Sequence, residues 1–409
     1  MDAPPSIDTH DGRSIRLDES PSVTATDEWL LELGCQKTIV GKTLQDRDIT
    51  LYWMDYSNPA SSPTKSVLFL SLVHGNEPMG LVSLLMGAKE LASSHVEPPP
   101  GKVTTASMRI YFLPIVNVDA YELNLGRGEE RGCHRPNLRT TCKSILGNNN
   151  ATTAAIVAES CIPPTFGYLG RGGVDLNRNF PTDWEALPNT CSHNYPGPHP
   201  LSEPETQAIV RVVEDFNITH AMSLHSRASL HSGANEKNHP LIIHPFTSER
   251  RFETMKKKDA NRFRKWSSSM NRNVDAVYVT GTARKAIKYT AGGTTIDWMY
   301  SEKHITSFVL EVIPPCESRW CLGNNVYQNA EPNALTMKHF VSLVIDEKDN
   351  DTSVQLLLLL LLLSGIMYSI VKWRHNFRLF LYRSGLSVFL KEKEDVSQEA
   401  IVEISPLNV

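Results

Sequence analysis

The stretch "LFLSLVHGNEPMGLVSLLMGAKEL", residues 68–91, decides how the rest of the chain is read. It opens as an apolar run of strand length, passes through the polar tetrad His74-Gly75-Asn76-Glu77, and resumes with apolar residues at helical spacing. A strand that turns sharply into a helix is the repeating unit of an α/β fold. The tetrad has two readings. It is either an ordinary polar turn, or His74 and Glu77 are two ligands of a metal whose third ligand lies far along the chain.

Working outward, "ITLYWM" (49–54), "SVLFLSLV" (66–73), "MRIYFLPIV" (108–116), "THAMSLH" (219–225) and "SFVLEVI" (307–313) read as strands. "GLVSLLMGAKELASS" (80–94), "LSEPETQAIVRVVEDFN" (201–217) and "ALTMKHFVSLVI" (334–345) read as helices. In the second of these, Ser202 is placed to cap the N-terminus, Pro204 falls in the first turn, and Glu205 is placed to complete a capping box. The alternation predicts an α/β domain over 28–347, its mixed, mostly parallel central sheet covered by helices on both faces. Polar residues at the C-terminal ends of such strands line the site, and His74, His225 and Glu311 stand at such ends. Residues 1–27 are polar and aperiodic, which predicts a loose or truncated segment. The stretch 125–200, rich in Gly, Pro, Asn and Cys, predicts long surface loops.

The 409 residues carry a formal net charge of −4, with 21% charged, so charge gives no reason to expect nucleic-acid binding. All seven cysteines fall between Cys35 and Cys321, which points to an oxidising compartment for that part. "SVQLLLLLLLLSGIMYSIV" (353–371) has no charge and the length of a bilayer core, predicting one C-terminal transmembrane helix. Acidic residues precede it, and Lys372, Arg374, Arg378 and Arg383 follow. The expected orientation is therefore single-pass, with the domain extracellular or luminal and a cytoplasmic tail over 372–409. Sequons at Asn150 and Asn217 fit a glycoprotein; a third, at Asn350, lies too close to the expected span. The first twenty residues lack the apolar core of a signal peptide, so a truncated start is expected, the alternative being insertion by the C-terminal span alone.

A His-x-x-Glu pair is weak alone, but further pieces follow in order: "GVDLNRNFP" (173–181), "YPGPHPLSEPET" (195–206), "SLHS" (223–226), "KYTAGGTTIDWMY" (288–300) and "FVLEV" (308–312). In that order they resemble the zinc carboxypeptidase family, over roughly residues 38–345. The resemblance implies one Zn²⁺ held by His74, Glu77 and His225, with Glu311 as general base. It implies a clamp for a peptide C-terminus made of Asn177, Arg178 and Tyr289, since a guanidinium suits a carboxylate. An arginine for the oxyanion falls in "CHRPNLR", with Arg135 first choice and Arg127 and Arg139 as alternatives. Ser226 joins the expected substrate contacts. Ile296, where basic-specific members place an acid, implies an apolar pocket floor, with Thr247 beside it, and so hydrophobic or aromatic C-terminal residues as substrate.

The resemblance also suggests a Cys161–Cys191 bridge. Cys316–Cys321 and Cys133–Cys142 are further plausible pairs, leaving Cys35 over. "NVDAYE" (117–122) departs from the family pattern, and the 140–172 loop is enlarged. Competing readings are a silent peptide-binding homologue, an intracellular deglutamylase, which calls for a basic pocket floor, and a structural membrane protein.

Overall fold

The computed structural model describes residues 5–8, 14–17, 20–56, 65–94, 108–126, 134–141, 172–226, 239–248, 251, 254–272, 274, 278–313, 326–347, 367–370, 372, 373 and 377. Two compact units divide the chain, Met1–Asp346 and Glu347–Val409.

The first unit is built on an eight-stranded sheet. Its strands are β3 (Gln36–Lys42), β4 (Asp48–Asp55), β5 (Lys65–Ser71), β6 (Met108–Leu113), β7 (His220–Ser226), β8 (Leu241–Ile243), β9 (Val279–Gly281) and β10 (Thr306–Val312), in the order β3-β4-β6-β5-β7-β10-β8-β9. The four central strands β6, β5, β7 and β10 run parallel. Antiparallel partners flank them: β4 on β6, and β8 on β10. Every residue of β5 and β7 is buried. That is why β5 carries the unbroken apolar run Val67–Leu70, as expected where a parallel sheet is covered on both faces, while β7 buries Ser223 and His225 among its apolar residues.

Helix α2 (Pro78–Ser93) packs on β7 and against α8 (Val326–Asp346). Two glycines permit those approaches. A Cβ on Gly80 would lie 2.8 Å from the Leu224 carbonyl oxygen, and one on Gly87 would collide with Met337. The remaining helices are α1 (Val23–Glu32), α3 (Val118–Leu125), α4 (Pro204–Asp215), α5 (Lys257–Arg272), α6 (Ala283–Ala286) and α7 (Thr295–Lys303). The mixed α/β domain is thus as the sequence predicts.

Several expectations are corrected. Residues 1–27 are not uniformly loose: β1 (Ser6–Asp8) pairs with β2 (Ser14–Arg16), and α1 begins at Val23. Leu17 is buried in the core, Lys89 Nζ donates to the Ser6 carbonyl, and Tyr121 Oη donates to that of Pro21. The described parts of 125–200 are not surface loops throughout, because Asn137, Val174, Asp175, Asn179 and Phe180 are fully buried. Glu203, not Ser202, occupies the N-cap position of helix α4; its side chain makes no capping bond, and there is no capping box. The Ser202 hydroxyl is engaged elsewhere, donating to Glu203 Oε1 and accepting from Asn179 Nδ2.

Among the described residues no helix is long and apolar enough to cross a membrane. The expected span at 353–371 falls almost wholly outside them, as do Asn150, Arg127, Cys133, Cys142, Cys161, Cys316 and Cys321. Cys35 is a buried free thiol, and Cys191 is disulfide-bonded, its partner lying outside the described residues.

Candidate metal centre and active site

The opening tetrad leaves β5 through Leu72, whose φ of 47° turns the chain sharply. Gly75 is required by packing, since a Cβ there would strike Ala120. Glu77 is the N-cap of α2, yet its carboxylate makes no capping bond and is left to reach inward. His225 arrives from the end of β7. The three side chains are buried, and one donor atom from each lies within 4.8 Å of the others.

The second contact of each ligand explains its aim. His74 Nε2 lies 3.1 Å from Asp175 Oδ1, and His225 Nε2 lies 3.0 Å from Ser223 Oγ. A carboxylate only accepts, so His74 donates from Nε2, which leaves Nδ1 as the nitrogen that would present a lone pair to a bound metal. His74 Nδ1 faces Glu77 Oε1 at 3.0 Å and His225 Nδ1 at 3.1 Å, while His225 Nδ1 faces Glu77 Oε2 at 2.9 Å. Two imidazole nitrogens and a carboxylate turned on one point form a donor set that fits a cation, and His₂Glu suits zinc in an open catalytic site. Burial would raise the Glu77 carboxyl, but His74 and Arg135 outweigh it and hold Glu77 ionised.

Arg135 Nη1 donates to Glu77 Oε1 at 2.6 Å, and its Nη2 lies 3.5 Å from Asp175 Oδ2. Arg139 points away, its Nε held by both oxygens of Glu203. Between these two alternatives, Arg135 alone stands at the centre. Asp175 is buried, which would raise its carboxyl; Arg135, then His74 and Arg178, hold it far below the usual range. Glu311 is the register partner of His225 across the β10–β7 ladder, and its charge is felt at both His225 and Arg135.

Asn177 and Arg178 form a 3₁₀ turn, Leu176–Arg178, braced against α7. Asn177 Oδ1 accepts from Thr295 N and Oγ1, both at 3.0 Å, which leaves its amide nitrogen for another partner. The "AGG" glycines explain the close fit. Gly293 has φ +68°, and a Cβ there would collide with the Arg178 carbonyl; one on Gly292 would collide with that of Asp183. Tyr289 is 53% exposed.

Ile296 is 1% exposed and packs with Leu241, Ile243, Ala283 and Val309. Thr247 is spent on Asp297, to which its N and Oγ1 donate. Ser226 departs from the expected substrate contact: it is buried, its Oγ accepts from Gly80 N, and its N donates to Glu77 Oε2.

A family model described as zinc carboxypeptidase matches residues 34–324. The chain belongs to the zinc carboxypeptidase family. Carboxypeptidase O of Bos taurus is 24% identical over 277 residues, covering 63% of this chain and 64% of that one. Mast cell carboxypeptidase A of Mus musculus is 26% identical over 208 residues, 50% of this chain and 41% of that one. This chain therefore spans less than two thirds of either relative. Among solved structures, a carboxypeptidase A from Helicoverpa armigera aligns with TM-score 0.58 and 19% identity, covering 81% of this chain and 75% of that one. At that identity the likeness speaks for the fold. The family's cofactor is zinc, and the His74-Glu77-His225 set is where this chain would hold it.

Two functional residues were not singled out from the sequence. Ser223 had a signal available, since it lies two residues before His225 and so on the same strand face. Asp175 sits within the quoted "GVDLNRNFP", but a carboxylate behind a ligand has no spacing of its own.

Proposed function

We propose that the protein is a zinc-dependent carboxypeptidase that hydrolyses the last peptide bond of peptides or proteins. The observation that carries this reading is the meeting of a His₂Glu donor set with an Asn177–Arg178 turn braced by Thr295 and Gly293. A donor set alone suits many hydrolases; the Arg178 guanidinium, which donates to the Asn177 carbonyl at 2.8 Å and whose charge acts on Asp175 behind His74, suits a terminal carboxylate.

Zinc, when bound, supplies a Lewis acid and a water of lowered pKa. The chain's own residues do the rest. Arg178 and the Asn177 amide hold the substrate carboxylate, with Tyr289 closing over it from its exposed position. Glu311 takes a proton from the attacking water and delivers it to the leaving amine. Arg135 donates to the oxygen that becomes negative as the carbonyl is attacked. The apolar surroundings of Ile296 support a preference for hydrophobic or aromatic C-terminal residues, since a charge there would be desolvated without a partner.

The uncharged run 353–371 and its basic flank support a single-pass anchor with the catalytic domain outside or luminal. Exposed Met367, Tyr368 and Trp373 at its cytoplasmic end fit an interfacial belt, and exposed Asn217 fits glycosylation. The test expresses the full chain in cells and assays alkali-washed membranes for release of C-terminal Phe, Lys and Glu from matched blocked dipeptides. Chelator-sensitive Phe release that sediments with the membranes, and is lost in Glu311→Gln, is the expected result. Release of Lys or Glu instead removes the pocket reading. Activity in the wash removes the anchor. No release by folded, zinc-loaded protein favours a silent peptide binder.

A further inference from the structure

The N-terminal turn of α4 carries a buried carboxylate that the mechanism does not use. Glu205 is fully buried, and among the described residues its Oε1 has no hydrogen-bond partner. Its Oε2 accepts from Asn137 Nδ2 at 3.2 Å, and the same amide donates to Glu203 Oε2 at 2.6 Å. Asn137 binds the Arg135 loop to the Asp175 loop. Its Oδ1 accepts from Val174 N at 2.9 Å, and its own N donates to the Val174 carbonyl at 3.0 Å. Next to these contacts stand the groups that matter: Asp175, one residue after Val174, which orients His74, and Arg135, two positions before Asn137.

The charges around Glu205 are uneven. Glu203 has its own cation in Arg139 at 2.8 Å, and Asp119 has Arg47 at 2.7 Å. Glu205 has none among the described residues, while the charges of both those carboxylates act against its ionisation. A third buried anion there has nothing to balance it. Burial, with Glu203 and then Asp119 adding to it, pushes the Glu205 carboxyl up to about 7.

We propose that Glu205 works as a neutral carboxylic acid whose oxygen, together with Glu203, holds the Asn137 amide, and that this brace sets the positions of Arg135 and of Asp175 behind His74. Glu205 is a positioning residue, and its effect on catalysis rests on the reading of the site above. Ionisation strengthens the single bond from Asn137, but it sets a buried anion without a cation beside Glu203 and near Asp119, and that repulsion, not loss of the bond, is what displaces the brace. The sign follows from proton binding. A carboxyl whose folded value lies above its unfolded one of about 4.5 binds more protons when folded between those values. Stability is therefore lost as pH rises through that window, and the loss is complete above about 7.

The test compares the full, zinc-loaded chain with Glu205→Gln, which keeps the acceptor and removes the charge, and Glu205→Ala, which removes both. Between pH 5 and 8, Glu205→Gln should gain on the wild type by roughly a hundredfold in unfolding equilibrium constant. Glu205→Ala should lower kcat on a Phe-terminated dipeptide by roughly tenfold and weaken zinc binding, with KM unchanged. The unchanged KM follows because Asn177 and Arg178 are braced separately by Thr295 and Gly293. Glu205→Gln should restore kcat at pH 6 and hold it at pH 8.5 where the wild type declines. Equal pH slopes of stability in wild type and Glu205→Gln overturn the proposal, as does a fall in kcat matched by a rise in KM. If Glu205→Ala does not fold, the Glu205→Gln comparison decides alone. Stability and zinc affinity need no turnover, so failure here is distinguishable from failure of the proposed reaction.

Discussion

Replacing Asp175 with asparagine isolates the group behind the first metal ligand. The change keeps shape and an acceptor, so Asn177 N, 3.0 Å from Oδ1, retains its partner. It removes the charge at the two contacts that need it, His74 Nε2 at 3.1 Å and Arg135 Nη2 at 3.5 Å. His74 then donates to a neutral oxygen and its Nδ1 becomes a poorer donor to a metal. Carboxylates in this role change metal affinity about 10- to 100-fold, or roughly 1.4–2.8 kcal/mol. Asp175 is fully buried, so solvent does not screen the loss, and the upper half of that range is expected. Arg135 also keeps Glu77 as its one close carboxylate, which competes more directly with the metal. The assay is competition for zinc against a chelator of known affinity, read beside the melting temperature of the metal-free protein. Asp175→Asn that binds zinc within about twofold of wild type, against the expected tenfold or more, would refute the argument that this carboxylate tunes the site.

Two further outcomes are expected. Gly293→Ala should lower the thermal midpoint by several degrees and raise KM, because alanine at φ +68° costs about 1 kcal/mol or more and its methyl meets the Arg178 carbonyl; an unchanged KM would show that the clamp does not depend on this contact. Cys35, whose thiol burial pushes up to about 12, should resist iodoacetamide in the native protein at pH 8 and react fully once denatured, whereas prompt native labelling would contradict its placement in the core.

The sequence made the sheet legible where burial is continuous. Strands β5, β7 and β10 carry buried apolar stretches, such as Val67–Leu70 and Phe308–Leu310, and the polar residues at or just past their ends point to His74, His225 and Glu311. Strands β8 and β9 have three residues each, too short for a period to register. Helix α5, with Phe263, Trp266 and Met270 buried, was overlooked because a highly charged face surrounds a narrow apolar stripe. The capping box failed for a different reason. Ser202 and Glu205 have the right spacing, but both side chains are claimed by partners distant in sequence, Asn179 and Asn137. Asp175 escaped notice as a residue behind the ligands, since only tertiary structure brings Gly-rich loops against a strand end.

The ladder between β7 and β10 pairs Leu224 with Leu310 and His225 with Glu311. The spacing of His225 and the proposed base is thus written in backbone hydrogen bonds rather than in the polypeptide joining them. An insertion at a position of that connection which packs on neither strand should leave the spacing unchanged, provided both strands keep register. A single-residue deletion inside β10 before Glu311 would instead turn that carboxylate to the opposite face. Tolerance to insertion and intolerance to slippage are two sides of one design.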